Sequence, residues 1–380
     1  MDGSRNVTAI FTEFSIPIVK TLDAQFALRY DKYSDFGNTV NPKVAIRWQP
    51  AKSFLTRASY NTGFHAPTLP DLLTQNFRGN TADAFNDPVR CPGGNPIGGF
   101  VNSSLECDAQ FNNQTGGNKN LTPEKSKQWT LGIVADPSDY ASVSVDYWSI
   151  YIQNQITTLG DTTIFGDFKK YEANGTIVRF ARLANGTCAN DVAGVPTPAN
   201  IPCAIDFVNQ TTQNLGDVRT SGFDVNLTLR APASDAGRIK LVLDGTYTVK
   251  YDYQKEKNGA VFHNAGNFTS DNRSIPRWRH YLTLSWDRGP WSASVSESFV
   301  LGYLDDPSGG DRRVASWDTY DVQGSWTGLK NLQFVLGIKN LFDRNPPVSV
   351  QGQTFQVGYD PYQANPLGRV YYGKINYAFK

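Results

Sequence analysis

Apolar and polar residues alternate along most of the chain. From Leu22 to Tyr30, one face reads Leu22, Ala24, Phe26, Leu28 and Tyr30 and the other Asp23, Gln25, Ala27 and Arg29. The same period of two sets Val44, Ile46 and Trp48 against Lys43, Arg47 and Gln49, and Phe223, Val225, Leu227 and Leu229 against Asp224, Asn226, Thr228 and Arg230. Ile239, Leu241, Leu243, Tyr247, Val249 and Tyr251 form another apolar face, as do Trp278, Leu282, Leu284 and Trp286. This period belongs to strands with one apolar side. It predicts thirteen strands, over about 6–18, 21–33, 38–49, 53–63, 127–136, 140–152, 214–231, 238–251, 275–287, 290–303, 314–327, 331–342 and 369–380. Two places break the pattern. Glu297 falls on the apolar side between Val295 and Phe299, which points to a bulge that re-aims it. In 143–152 the apolar face switches between Tyr147 and Trp148, leaving that register open.

Strand length separates a sandwich from a barrel. Strands of soluble proteins centre on about 5–6 residues, and a tilted membrane strand needs about 9–11. The segments here have the longer measure. Connections also alternate. Short ones fall at Val19-Lys20, Pro50–Lys52, Pro137–Asp139, Ala231–Gly237, Arg288-Gly289 and Gly328–Lys330. Between them lie Ser34–Gly37 and the longer 64–126, 153–213, 252–274, 304–313 and 343–368. Short turns on one rim and long loops on the other are the anatomy of an outer-membrane barrel. Aromatics mark both rims. Trp48, Tyr140, Trp286, Trp291 and Trp326 flank short turns, and Tyr30, Tyr33, Tyr60, Tyr251, Tyr253, Trp278, Tyr303 and Tyr320 lie towards the long loops, as interfacial girdles require.

Composition agrees. Hydrophobic residues make up 39% and aromatics 13% of the 380 residues. No apolar run of about 18 residues exists, so helical spans are excluded. The net charge of +1 gives no global field for nucleic acid. Enzyme motifs such as a phosphate-binding glycine loop, His-Glu-x-x-His or Gly-x-Ser-x-Gly are absent. We expect neither an enzyme nor a cofactor. His65, His263 and His280 are far apart, and His280 has the parity of an interfacial residue. Asp305, Asp306 and Asp311 with Arg312 and Arg313 read as a solvated loop rather than a cation site. Cys91 and Cys107, and Cys188 and Cys203, are separated by 16 and 15 positions in Gly/Pro/Asn-rich stretches. They read as two loop disulfides rather than a metal site, each worth about 3 kcal/mol in the chain-entropy model.

Several motifs carry a resemblance. Gly337-Ile-Lys-Asn-Leu-Phe-Asp343-Arg-Asn-Pro-Pro, Gly358-Tyr-Asp-Pro361 and Gly368-Arg-Val-Tyr-Tyr-Gly373-Lys-Ile-Asn-Tyr-Ala-Phe379 resemble the C-terminal end of TonB-dependent outer-membrane receptors. Arg57–Leu72 is similar to a mid-barrel motif of the same family. The resemblance covers about 6–380. It implies an all-β, antiparallel transmembrane barrel, with these residues supplying about 13 of 22 strands as a C-terminal portion. The plug domain and the TonB-contacting segment would lie outside it, which fits a start that carries no secretory signal. It also implies a bacterial outer-membrane setting in contact with lipid, a TonB energy-transducing partner, and a scarce nutrient as cargo. A ferric siderophore-type chelate is the first expectation; carbohydrate or cobalamin uptake, a passive porin-like or adhesin barrel, and a secreted glycan-binding β-protein are the alternatives. Lumen candidates are Arg29, Lys43, Arg47, Arg57, Arg230, Lys240, Arg279 and Lys339. Loop candidates for binding are Phe77, Arg78, Tyr171, Arg179, Arg182, Tyr359 and Tyr362, because arginines beside aromatics suit an anionic, partly aromatic ligand. Trp48, Trp286, Trp291, Trp326 and Phe379 are the candidates for the membrane interface.

Overall fold

The computed structural model describes residues 3–193, 195–351 and 358–379. Thirteen long strands form one antiparallel sheet, each paired with its neighbours in sequence. They are β1 (Val7–Val19), β2 (Leu22–Tyr33), β3 (Gly37–Ala51), β4 (Phe54–His65), β5 (Glu124–Ser138), β6 (Ala141–Gln153), β7 (Val218–Arg230), β8 (Arg238–Gln254), β9 (Trp278–Arg288), β10 (Trp291–Val300), β11 (Trp317–Leu329), β12 (Leu332–Lys339) and β13 (Val370–Tyr377). A short strand, Val261–His263, adds to the long-loop end of β8. The outer sides of β1 and β13 pair with nothing among the described residues, so the sheet is an open, curved wall.

The register keeps like faces together. Leu131, Tyr147, Phe223, Tyr247 and Trp278 lie directly opposite one another across five strands. On the convex face large apolar side chains stay exposed, among them Leu131 at 51% and Leu336 at 72%. A soluble sandwich would bury that face, whereas a lipid-facing wall requires it exposed to the bilayer. The buried hydrophobic core lies elsewhere, in the long loops: Phe111, Leu159, Ile164, Phe168, Tyr171, Ile177, Ile205, Val208 and Leu215.

Three expectations are corrected by the register. β10 pairs with β9 and β11 without interruption, so no bulge re-aims Glu297. Its carboxylate stays on the convex face because partners meet it there. Tyr320 donates its hydroxyl at 2.7 Å, and His280 Nε2 lies 3.2 Å away. The His280 Nδ1 accepts the Trp278 indole N–H at 2.8 Å. The bulge falls instead on β8, where Ser221 pairs with Lys250 and Gly222 with Thr248, leaving Val249 over. Beyond Val249 the faces exchange, so Tyr251 lies opposite Thr220 on the concave side rather than continuing the Leu241–Tyr247 row. Thirdly, Tyr303 and Tyr253 are not interfacial but buried among the loops, at 2% and 3% exposure.

The switch at Tyr147/Trp148 needs no irregularity in β6. Tyr147 points outwards and packs between Trp129 and Phe223, at 4.9 and 5.0 Å between ring centroids. Trp148 points inwards and lies over Gly222, where a Cβ would come within 2.6 Å of the indole. Glycine at 222 is what admits an inward tryptophan.

Candidate functional site

The concave face borders a volume of about 1480 Å³ lined by charged and polar side chains and by Ile46, Trp148, Phe299 and Trp317. Strand alternation puts the charged and polar ones there, because every residue between two outward apolar positions faces in. Arg57 reaches across two strands and grips Asp146 with two parallel bonds of 2.8 Å. Gly132 lies between them, and a Cβ there would come within 1.9 Å of an Asp146 oxygen. Arg47 pairs with Asp23 at 3.2 Å and Arg29 with Asp31 at 2.8 Å. Asn226 donates to Asp244, and Thr246 to Asp224 at 2.7 Å. Lys43 lines the same volume and makes no ion pair among the described residues. Arg230 and Lys240 lie directly opposite each other at the short-turn end, two like charges in register. The Lys339 ammonium sits 6.0 Å above the Tyr372 ring.

The loops close over this wall. The segment after β12 docks on β9, where Arg279 donates to Gln363 Oε1 and the Gln363 side-chain amide donates to Ser274 O at 3.0 Å and Oγ at 2.8 Å. Asp360, 2% exposed, accepts from Tyr303 at 2.8 Å and from Ser274. Burial and the nearby Asp360 charge push the Tyr303 hydroxyl pKa far up, so it remains a donor. Asp305 is buried as well, accepting from Ser349 at 2.6 Å and from the Val350 amide at 2.9 Å. That overturns the reading of Asp305 as part of a solvated loop.

The two longest loops form a second folded layer. Strands Phe77–Asn80, Asn112–Thr115, Ile205–Asn209 and Ile177–Arg179 make one four-stranded sheet drawn from both loops. Disulfides join Cys91 to Cys107 and Cys188 to Cys203. Between them Arg90, wholly buried, donates to Glu106 at 2.5 and 3.2 Å, to Asp191 at 2.6 Å and to the Pro202 carbonyl at 2.9 Å. Alternation could not reveal this layer, because its strands are only 3–5 residues long.

The loop candidates separate accordingly. Tyr171 is 2% exposed in the loop core, where its hydroxyl donates to Glu256. Arg179 donates to Asp87 at 2.7 and 3.0 Å, to Glu172 at 2.5 Å and to Cys203 O at 2.7 Å. Arg182 donates to four carbonyls, those of Gly186, Thr197, Pro198 and Ile201. These three hold the loops together. Phe77 and Arg78 are exposed, and the Arg78 guanidinium lies 3.4 Å from the Phe207 ring centre and 3.8 Å from Asp206. Tyr362 is exposed with Arg273 stacked on it at 3.7 Å, and Tyr359 is half-buried in a hairpin with Val348. No hydrogen bond or ring contact joins the Phe77–Arg78 pair to the Tyr359–Tyr362 group among the described residues. Arg273 and Gln363 escaped sequence reading, since both lie in aperiodic loops. Of the residues expected at the membrane interface, Trp48, Trp291 and Phe379 are exposed, at 44%, 56% and 89%, while Trp286 and Trp326 are half-buried. The Trp286 indole donates to Ala236 O in the adjoining turn at 2.7 Å.

Solved structures share this architecture. The ferric enterobactin receptor of Pseudomonas aeruginosa superposes with a TM-score of 0.64 at 16% identity, over 99% of this chain and 45% of that one. The siderophore receptor PirA from Acinetobacter baumannii gives 0.61 at 16%, over 99% and 46%. The copper transporter OprC gives 0.56 at 13%, over 99% and 48%. The chain thus spans less than half the length of each. No curated protein matches it in sequence. The family model described as TonB dependent receptor-like, beta-barrel, matches residues 1–341, and the chain belongs to that family.

Proposed function

We propose that this wall and its loops serve an outer-membrane receptor that takes up an anionic metal chelate of the siderophore class, energised through TonB. The carrying observation is a cation, Arg279, on the concave face, together with two arginines seated on aromatic rings in the loops. Arg279 faces the concave volume beneath the docked final loop. Arg273 on Tyr362 and Arg78 on Phe207 present guanidinium–aromatic pairs in the loops above the wall. Such pairs attract an anionic ligand and offer flat surface to its rings. The binding residues in this reading are Arg78, Phe77, Arg273, Tyr359, Tyr362 and Arg279. Tyr171, Arg179 and Arg182 support the loops.

The solved neighbours favour this cargo class without deciding it, since two are named for ferric enterobactin or siderophore and one for copper. The test is growth of a deletion strain on single ferric chelates under iron limitation, complemented by the wild-type gene or by Arg78→Ala/Arg279→Ala. Loss of growth on one chelate, restored by wild type and at least tenfold less efficiently by the double variant, supports the reading. Growth unaffected on every ferric chelate, with a defect on copper or a carbohydrate instead, refutes it.

A further inference from the structure

The sequence motifs at Asn340–Asp343 and Gly368–Gly373 meet on the concave face at a chamber that the proposed cargo site does not use. The chamber, about 550 Å³, lies between β11–β13 and the end of the final loop. Strand alternation turns Trp317, Thr319 and Asp321 of β11, Lys339 of β12 and Tyr372 of β13 towards it. Asn365, Leu367 and Gly368 form its roof. Gly368 turns there at φ 64°, and Asp343 accepts the Arg369 amide at 2.8 Å, so the two motifs fix the roof together. The volume is that of a small-molecule site.

Two rings wall the chamber. Tyr372 lies across Gly337, where a Cβ would collide with the ring, and its hydroxyl donates to Gln323 at 2.9 Å. Trp317 is 9% exposed and stands four residues, about 13 Å, nearer the long loops than Asp321. It borders the large concave volume as well, so the chamber adjoins that volume.

The charges in the chamber are of both signs, and neither is used. Asp321 and Lys339 stand one step beyond the Val322–Ile338 pair on adjacent strands. Opposite charges so placed ordinarily pair, and these do not. Asp321 takes the Asn340 amide on one oxygen at 2.8 Å, and its other oxygen meets no donor among the described residues. The Lys339 ammonium lies 6.0 Å from the Tyr372 ring centre and makes no ion pair or hydrogen bond among the described residues. A lone anion would be repelled by Asp321 and a lone cation by Lys339, so neither suits the chamber. A molecule with an ammonium and a carboxylate a few atoms apart, next to a ring, meets all four side chains at once.

We infer that Asp321, Lys339, Tyr372 and Trp317 form a binding site for a free aromatic α-amino acid. Its ammonium pairs with Asp321, its carboxylate with Lys339, and its ring lies between Tyr372 and Trp317 beneath Leu367. The site is independent of the cargo class, because Arg78, Arg273 and Arg279 take no part in it.

The test is titration calorimetry on the full-length receptor in neutral detergent, with L-phenylalanine, L-phenylalaninamide, N-acetyl-L-phenylalanine and L-alanine as probes. L-phenylalanine should bind saturably. The other three lack the carboxylate charge, the ammonium or the ring, and each should bind at least about fivefold more weakly. Lys339→Gln should abolish the preference over the amide and keep the preference over the N-acetyl compound, and Asp321→Asn should do the reverse. General loosening of the wall would not produce that crossed pattern. Absence of saturable phenylalanine binding below about 10 mM, affinities for it and its two blocked forms within about twofold, or either variant retaining both preferences would each overturn the proposal. The comparison of probes on the wild-type protein decides it even where a variant fails to assemble.

Discussion

Removing Arg90 tests whether the two long loops form one folded layer. Its guanidinium is wholly buried and serves Glu106, Asp191 and the Pro202 carbonyl, so it ties the first long loop to the second. Glu106 is 1% exposed and the Asp191 side chain 6%. Arg90→Ala leaves two carboxylates out of reach of water and without their cation. Breaking a buried pair from one side costs about 3–5 kcal/mol. The layer should therefore open about 10²–10⁴ times more often, at about 1.4 kcal/mol per decade. Glu106→Gln keeps the Asp191 bond and much of the geometry, and should cost about 1–3 kcal/mol. Replacing all three by Met, Leu and Leu removes the buried charges together and should recover most of the loss. Native-state hydrogen exchange reads this directly, on the amides of Asn112–Thr115 and Ile205–Asn209, with the barrel strands as an internal reference. Exchange in Arg90→Ala within threefold of wild type would refute the ion-pair argument. Equal acceleration in β5–β8 would refute the separation of the layer from the wall.

Further consequences can be checked independently. Cys91→Ser/Cys107→Ser should weaken the loop layer by about 3 kcal/mol, seen as faster proteolysis between 85 and 110 with the barrel core intact. Gly132→Val should drive a side chain into the Arg57–Asp146 pair and lower wall stability by about 1–3 kcal/mol in urea unfolding from vesicles. Gly132→Val/Asp146→Ala should recover part of it, and an unchanged midpoint in the single variant would contradict the close approach. Glu297→Ala should strand the Tyr320 hydroxyl and His280 on the lipid-facing side and cost about 1–3 kcal/mol in the same assay, whereas Glu297→Gln should be milder.

The wall was legible because alternation, strand length and turn spacing all report one physical demand, a polar side and a lipid side. All thirteen strands fall within a few residues of where that pattern puts them, and the family motifs at Asn340–Asp343 and Val370–Phe379 lie at the end of β12 and along β13. Register faults were not legible. Val249 is apolar on either side of its bulge, so nothing in residue type marks the extra position. Glu297 misled in the opposite sense, since a lone acid among apolar neighbours reads as an irregularity. Its partners His280 and Tyr320 lie 17 and 23 positions away on other strands. In the loops the arginine–aromatic reasoning selected residues of the right type without distinguishing their use. Arg179 and Tyr171 satisfy it as well as Arg78 does, but their carboxylate partners Asp87 and Glu256 come from other loops. Only the fold brings those together.

The odd number of long strands has a topological consequence. In an up-and-down antiparallel sheet, direction reverses at every step, so β1 and β13 run the same way. Rolled up alone, the wall could close only through a parallel seam, whose slanted bonds would break the otherwise uniform ladder. Two copies joined edge to edge around a common axis would need two such seams. A fully antiparallel cylinder that contains these thirteen strands would therefore contain an odd number of others, because either simple closure of this sheet on its own carries a parallel seam.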